Sequence, residues 1–568
     1  MHRHLLLSLV PFLLAAPGLA GPRPPQMKPA WLLGLLDDEL KRNLAVLKKE
    51  AVPPYFVSYT VRDLSADHVR ASFGAVESDL RKHARTFAVE VRVGDYSLDN
   101  THAIRGRGRE PGYSTVSAAL PIEDDEGAIR EVLWRETDRA YKDAVERLAK
   151  VRTNRDVKVG EEDRSDDFSR ESPERFVGEP VTIRVDRAAW RDRVKAWSAR
   201  LLDDPRLLTG AASLWVTEER RWLVSSEGTS VFSGTSLARL VIEATTKADD
   251  GMLLPRNLTY ASRSPDGLPP DEEVRKDVAG MMADLAAMRD APQIDPYAGP
   301  AILSGRAAGV FFHEVFGHRV EGHRQKDEKE GQTFRDKVGQ RILPDFLSVV
   351  FDPALRKVAG QEVVGGYELD DQGVRGRKVD VVVGGRFKGF LMSRSPVKGF
   401  PKSNGHGRGQ AGRAPVARQS NLVVLAGESM PFAALKARLI EECRRQGKPY
   451  GLWFRGIEGG FTFTGREIPN AFNVIPTVVY RIHLDGREEM VRGADLIGTP
   501  LTALTTVIAA SDRTEVFNGV CGAESGWVPV SASSPDLLLS QIEIQRKEKS
   551  QERLPILPPP PRTPGGRP

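Results

Sequence analysis

The stretch Phe311–His323, FFHEVFGHRVEGH, contains three of the ten histidines in the chain, and Glu314 directly follows the first of them. Imidazole nitrogens are good zinc ligands, and a catalytic zinc keeps three protein ligands plus a water. The metal lowers the pKa of that water, whose proton a nearby carboxylate takes. The stretch predicts a metal site with His313 and His318 as ligands and Glu314 as general base; a structural histidine cluster is the alternative.

The spacing of the two predicted ligands does not suit a regular helix. His313 and His318 are five residues apart, which at about 3.6 residues per turn places their rings about 140° apart around the helix axis. The helix predicted over residues 307–318 must therefore loosen or end near Gly317, because glycine adopts conformations closed to other residues. Glu321 and His323 remain rival ligands, or groups that contact the ligands.

Three motifs together resemble those of the TldD/PmbA family of metallopeptidases. They are His313-Glu314-x-x-x-His318 followed by Glu321, the segment GADLIG at residues 493–498, and the segment CGAESGWVPV at residues 521–530. The resemblance extends over about residues 295–546. Because the inactive partner subunits of that family lack the His-Glu pair, the chain is similar to the active branch.

The resemblance implies an α+β fold of mixed helices and largely antiparallel sheets in a two-part architecture. It implies that Cys521 is the third zinc ligand and that the N-terminal half packs over the catalytic half. It also implies peptides or unfolded polypeptides as substrates, and a homodimer or a heterodimer with a related chain. The extra His323 and the N-terminal segment depart from the family pattern.

The chain has two cysteines, Cys443 and Cys521. In an oxidising compartment they could form a disulfide, which is the main alternative to metal binding by Cys521. Cys443 falls on an apolar helical stripe with Leu435 and Leu439, so we expect a buried core thiol. We expect Cys521 to lie in a glycine-flanked loop, where the backbone can bring its sulfur close to an ion.

The sequence predicts four parts. Residues 1–20 have a short basic start, an apolar run and small residues, which is typical of a signal peptide; an uncleaved anchor is the alternative. We therefore expect an exported protein, periplasmic or secreted, without a transmembrane segment. An N-terminal α/β domain over residues 21–295, a β-rich metallopeptidase domain over residues 296–546 and a disordered proline-rich tail over residues 547–568 complete the prediction.

Hydrophobic periodicity and turn residues predict the elements. The predicted helices are residues 37–50, 136–152, 188–202, 272–289, 307–318 and 431–446. The predicted strands are residues 55–61, 88–93, 213–216, 221–225, 240–245, 461–465 and 478–484, and Gly384-Gly385 predicts a hairpin turn.

Charge does not indicate a nucleic-acid partner. The formal net charge is only +5, and the basic residues are dispersed. Residues 402–418 interleave glycines with basic side chains but lack aromatic residues for base stacking. We expect a flexible basic loop near the metal site, with a plain surface loop as the alternative.

The leading hypothesis is a Zn²⁺-dependent peptidase acting on peptides or unfolded polypeptide segments, which the many strands would bind in extended form. An alternative is a non-catalytic, exported peptide-binding or assembly subunit with a structural zinc, which would be held by four protein ligands. A third hypothesis is hydrolysis of a non-peptide amide, such as a cell-wall bond.

Overall fold

The computed structural model describes residues 29–104, 115–157, 163–465, 472–498, 500–547 and 557. The predicted signal peptide lies outside these residues, and so does the predicted tail except for Lys547 and Leu557. The described helices include none that is long and apolar enough to cross a membrane. Two large, mostly antiparallel sheets with helices packed on them confirm the predicted α+β class.

The first large sheet has seven strands. They are β1 (Pro54–Ser72), β2 (Ala75–Val93), β3 (Thr115–Leu120), β4 (Arg175–Val177), β5 (Leu207–Ser225), β6 (Ser230–Lys247) and β7 (Leu253–Ser262). Their order is β3–β2–β1–β5–β6–β4, and β7 also pairs with β6. Among the described pairings of this sheet, only β4–β6 is parallel.

Four helices cover one face of this sheet. They are α1 (Pro29–Leu47), α2 (Glu126–Val157), α3 (Arg187–Arg200) and α4 (Asp271–Asp290). Along β1, Val57 and Tyr59 join a core with α1 and α2, and Val69 joins a second core with α3 and α4. Because side chains alternate along a strand, Ser58 and Arg62 lie on the opposite face. That face is turned towards the second half of the chain, where Arg62 pairs with Asp371 at 2.9 Å.

The second large sheet has eleven strands. They are β8 (Tyr297–Leu303), β9 (Leu347–Phe351), β12 (Val379–Val383), β13 (Arg386–Phe387), β16 (Asn421–Ala426), β17 (Tyr450–Thr462), β18 (Phe472–His483), β19 (Glu488–Val491), β20 (Ala494–Gly498), β21 (Val507–Ala523) and β22 (Gly526–Arg546). Two short pairs accompany it: β10 (Lys357–Val358) with β11 (Gln361–Glu362), and β14 (Gly407–Arg408) with β15 (Val416–Ala417).

Part of this sheet closes on itself around a helix. The order β22–β20–β18–β17–β8 returns to β22, which pairs with β8 at Leu537↔Leu303. Helix α5 (Gly305–Val315) packs against β22, β17 and β21, and each of its residues except Arg306 is buried. Helices α6 (Phe432–Arg445) and α7 (Pro500–Thr505) complete the second half. Burial of the predicted metal helix is thus confirmed.

The predicted elements are present, but several bounds were wrong. Helix α1 starts at Pro29 rather than near Asp37, and α2 spans Glu126–Val157 rather than residues 136–152. The two strands predicted at residues 213–216 and 221–225 are one continuous strand, β5. The hairpin at Gly384-Gly385 is confirmed, because β12 and β13 pair on either side of it. The division of the chain at residue 296 stays a prediction.

Candidate metal centre

The end of α5 brings the two predicted histidine ligands together. The α-helix stops at Val315, and Phe316 caps it with ψ −51° but with φ −114°, which is far from the α-helical φ of about −63°. Residues Gly317–Val320 continue as a tighter 3-10 turn. The rings of His313 and His318 therefore lie with centroids 5.0 Å apart. This confirms that the helix must be interrupted before both rings can face one point.

Glycine is required at position 317 for a different reason from the predicted one. The φ of Gly317 does not lie in the left-handed region, so conformational freedom is not what the position uses. A Cβ at this position would lie 2.1 Å from Oε1 of Gln419. The amide of Gln419 donates to the backbone oxygen of His313 at 3.3 Å. Gly317 therefore allows Gln419 to reach the last turn of the helix.

Cys521 completes a cluster of three donor side chains. Ligand atoms of His313, His318 and Cys521 all lie within 4.8 Å of one another, and all three residues are buried. Nε2 of His318 lies 3.3 Å from Sγ of Cys521. The prediction that Cys521 lies in a loop was wrong: it belongs to β21, near the hairpin with β22, and pairs there with Val528. It is 203 residues further along the chain than His318.

The two cysteines lie in different surroundings, and both are free thiols. Cys443 packs with Leu435 and Leu439 in a separate apolar cluster, as its helical stripe predicts. Burial raises the pKa of Cys443 to about 11. The structure thus contains no bond between Cys443 and Cys521, and the disulfide alternative is not what the chain forms here.

The charged groups around Cys521 favour the thiolate form of its side chain. Burial alone would raise its pKa, but the His318 ring and the Arg418 guanidinium hold the pKa of Cys521 well below its ordinary range. Arg418 donates to the sulfur at 3.2 Å. A thiolate is the form of cysteine that binds metals, so the surroundings favour the form that a metal ligand requires.

Glu314 lies beside the cluster without joining it. Its Oε2 is 4.0 Å from Nε2 of His318, and the side chain is buried. Burial raises the pKa of Glu314, although the neighbouring His313 and His318 oppose this shift. The strand β17 passes close on the other side, where a Cβ added at Gly460 would lie 2.7 Å from Cγ of Glu314.

Glu321 lies behind His318 rather than in the cluster. Its Oε2 is 3.3 Å from Nδ1 of His318, the nitrogen that faces away from Cys521. Arg324 donates to the same carboxylate oxygen at 2.9 Å. Burial alone would raise the pKa of Glu321, but His318 and Arg324 lower it to about 2. Glu321 is thus placed to fix the orientation and tautomer of His318.

His323, the other rival ligand, points elsewhere. Its Nε2 forms a short contact with Oε1 of Glu524, and the second oxygen of Glu524 accepts from Arg324 at 2.9 Å. His323 is not among the residues whose donor atoms converge with those of His313 and His318. The structure therefore places His323 in a neighbouring ion-pair network.

Residues 402–418 lie near the metal site, as predicted, but they are not the plain surface loop of the alternative. His406, Arg408 and Arg418 are all buried, and β14 pairs with β15 across the segment. Arg418 reaches both Cys521 and Glu321. No local pattern marks this arginine, because its partners lie about a hundred residues away in either direction along the chain.

A cleft of about 170 Å³ opens between the two halves of the chain next to this network. Glu90, Arg92 and Thr101 line it from the first half, and His323 and Glu524 line it from the second. Arg324 and Glu321 connect Glu524 to His318 by the contacts given above. The cleft thus lies one layer of side chains away from the three-donor cluster.

The three donors fit a zinc ion. Two imidazoles and one thiolate are a donor set that zinc accepts, and three protein ligands leave a position for water or substrate. The Nδ1 of His318 already contacts a carboxylate, an arrangement typical of histidines that bind metals. The residues therefore provide both the ligands and the support that a catalytic zinc requires.

Comparison with known proteins agrees with this geometry. Residues 297–546 match the family described as the PmbA/TldA metallopeptidase C-terminal domain. Metalloprotease MJ0996 of Methanocaldococcus jannaschii is 29% identical over 232 residues, which are 40% of this chain and 47% of that protein. A metalloprotease of Archaeoglobus fulgidus is 30% identical over 238 residues, which are 42% of this chain and 51% of the relative. The chain thus spans about half the length of the curated relatives it matches.

Solved structures share the fold over most of the chain. TldE from Thermococcus kodakarensis superposes with a TM-score of 0.57 at 14% identity, covering 90% of this chain and 100% of that one. The protein TM0727 of Thermotoga maritima superposes with a TM-score of 0.59 at 14% identity, covering 89% of this chain and 99% of that one. At this identity the likeness shows the fold, including the two-part architecture.

Proposed function

We propose that the chain, whose residues 297–546 match the PmbA/TldA metallopeptidase C-terminal domain, is a Zn²⁺-dependent peptidase that cleaves peptides or unfolded polypeptide segments. The observation that carries the proposal is the buried convergence of His313, His318 and Cys521 beside the carboxylate of Glu314. Three donors with an adjacent base are the minimum for hydrolysis by metal-activated water.

Each residue of the site has a separate task in this proposal. His313, His318 and Cys521 would hold the ion, which would supply a Lewis acid for the scissile carbonyl and would acidify a water molecule. Glu314 takes the proton of that water and returns it to the leaving amine. The raised pKa of Glu314 brings this carboxylate closer to the pH at which it must both accept and release a proton.

The cleft between the two halves is the proposed entrance for substrate. It is lined by polar side chains from both halves, among them Glu90 and Arg92 on β2 and Glu524 after β21. A polypeptide in extended form exposes unpaired backbone groups along its whole length and can exchange hydrogen bonds with strands and polar side chains. A folded substrate has these groups paired, so we propose that the enzyme selects unfolded segments.

Export and pairing complete the proposal. The composition of residues 1–20 supports removal of a signal peptide and a periplasmic or secreted location. The resemblance of the sequence motifs to the TldD/PmbA family supports a dimer, either of two copies or with a related chain. N-terminal sequencing of the secreted protein and its mass in solution test these two statements separately from the chemistry.

The alternative of a structural zinc requires a fourth protein ligand. The carboxylate of Glu321 contacts His318 and Arg324, and the ring of His323 contacts Glu524. Neither rival ligand therefore lies where it would close the coordination sphere, and the three-donor arrangement favours the catalytic proposal.

The test of the proposal is the Glu314→Gln variant. Glutamine preserves the size of the side chain but cannot take a proton, so we expect cleavage of a labelled, unfolded polypeptide to fall by about 10²- to 10⁴-fold. Zinc content should remain equal to that of the unsubstituted protein. Full activity in this variant would exclude Glu314 as the base.

A further inference from the structure

Arg418 is a buried cation that contacts the proposed ligand Cys521 directly. Its side chain is fully buried, and Nη2 donates to Sγ of Cys521 at 3.2 Å and to the backbone oxygen of Cys521 at 2.8 Å. Nη1 donates to Oγ of Ser525 at 2.9 Å and to the backbone oxygen of Gly526 at 3.0 Å. One guanidinium therefore fixes the turn after β21 and the sulfur that this strand presents.

The positive charge of Arg418 is only partly compensated by the nearby carboxylate of Glu321. Its Nε lies 3.4 Å from Oε1 of Glu321. The other oxygen of Glu321 is engaged by His318 at 3.3 Å and by Arg324 at 2.9 Å. Glu321 is thus shared among three cationic or potentially cationic groups. A fully buried cation needs a compensating negative charge, and the nearest further one is a Cys521 thiolate.

This contact bears on the strength of the proposed metal site. A thiolate donates more electron density to zinc than a carboxylate or an imidazole, and so leaves the ion a weaker Lewis acid. A charge-assisted hydrogen bond to the sulfur withdraws part of that density. Groups that hydrogen-bond to metal ligands also fix their orientation, and their loss typically costs about 10- to 100-fold in metal affinity.

We propose, on the basis of the function proposed above, that Arg418 is a positioning residue that aims the sulfur of Cys521 at the metal and limits its electron donation. Arg418 does not touch the reacting atoms in this proposal; it acts through Cys521. The arrangement offsets the weakening of the Lewis acid that a cysteine ligand brings.

The experiment uses the full chain loaded with Co²⁺ in place of zinc. Co²⁺ bound to a cysteine sulfur has an absorption band that arises from electron transfer from the sulfur to the metal. This band moves to lower energy as the sulfur becomes richer in electrons. We expect this band to move to longer wavelength in Arg418→Met and by a smaller amount in Arg418→Lys, which keeps the charge. Zinc affinity, measured by competition with a chelator, should fall by about 10- to 100-fold in Arg418→Met.

Two variants control for the loss of a buried polar contact alone. Arg408 is also buried in the same segment and donates to the backbone oxygen of Gln419 at 2.6 Å, without a hydrogen bond to the sulfur. Ser525→Ala removes one acceptor of Arg418 and leaves the contact with the sulfur. We expect Ser525→Ala to keep the position of the band. Arg408→Met, which removes a charge that acts on Cys521 without a hydrogen bond to the sulfur, should move the band less than Arg418→Met does.

The outcomes separate this inference from the function on which it rests. If the unsubstituted protein binds Co²⁺ without a sulfur band, the proposed metal site itself is wrong. If the band is present and stays in place in both Arg418 variants, the site stands and the role of Arg418 is overturned. Should Arg418→Met fail to fold, Arg418→Lys against Ser525→Ala supplies the same comparison.

Discussion

A single methyl group added to β17 should disturb the proposed base without disturbing the proposed ligands. A Cβ at Gly460 would lie 2.7 Å from Cγ and 3.3 Å from Cδ of Glu314, and 3.0 Å from the backbone oxygen of Asn473. Non-bonded carbon atoms approach to about 3.5 Å. In Gly460→Ala the Glu314 side chain must therefore retreat by about 1 Å, since the strand is held by its partner β18.

The expected loss follows from that displacement. Misplacement of a reacting group by about 1 Å can cost about 10²-fold in rate, so we expect Gly460→Ala to retain about one hundredth of the activity. The three atoms nearest to the new methyl group belong to Glu314 and Asn473 and to none of the three donor side chains, so the zinc content should not change.

The adjacent glycine provides a matched control for this prediction. A Cβ at Gly459 would meet no atom within 4 Å, and both positions lie on the same strand. Initial rates of cleavage of a labelled, unfolded polypeptide are compared for Gly459→Ala and Gly460→Ala at equal zinc content. Equal rates in the two variants, or loss of zinc from Gly460→Ala, would refute the placement of Glu314 as the base.

Two further predictions concern other histidines. His323→Asn should keep its full complement of zinc, because the ring of His323 contacts Glu524 rather than the cluster; metal analysis showing loss of zinc would restore it as a ligand. Burial and the nearby Arg408 lower the pKa of His406 to about 3 in the folded protein, against 6.5 as its ordinary value. Between pH 6.5 and about pH 3, His406 therefore binds a proton in the unfolded chain but not in the folded protein. This difference should lower the free energy of unfolding by up to about 1.4 kcal/mol for each pH unit below 6.5. Chemical denaturation at several pH values should show a shallower dependence in His406→Gln, and an unchanged slope would contradict this assignment.

The sequence predicted those parts of the metal centre that depend on local geometry. The interval of five residues between His313 and His318 requires an interrupted helix, and α5 indeed stops at Val315. The glycine-flanked position of Cys521 gave only a weak reason to prefer it over Cys443. Its choice as ligand depended on resemblance, and the 3.3 Å contact with His318 now supports it independently.

The parts that local reasoning missed depend on distant partners. Arg418 lies in a segment of glycines and basic residues, which usually indicates a solvated loop. Its burial is stabilised by Cys521, Glu321 and the turn at Ser525. These partners come from residues 97 positions before it to 107 positions after it, and no window of sequence brings them together.

Partners that are distant in the sequence also explain why the predicted strands were too short. β1 was predicted to end at Val61 but continues to Ser72, through charged residues that disrupt the apolar alternation. Asp63 is buried there because Arg85 on β2 donates to it at 3.0 Å, and His83 lies 2.8 Å from it. For helix α1 the prediction missed the start, because Leu32 and Leu36 were not recognised as one buried stripe with Leu40.

The central claim is that His313, His318 and Cys521 bind one zinc ion, and metal analysis of three proteins tests it most directly. The unsubstituted chain, Cys521→Ser and Cys443→Ser are purified without chelators, and zinc per chain is measured by elemental analysis. We expect about one zinc in the unsubstituted chain and in Cys443→Ser, and much less in Cys521→Ser. Full zinc in Cys521→Ser, or none in the unsubstituted chain, would contradict the claim.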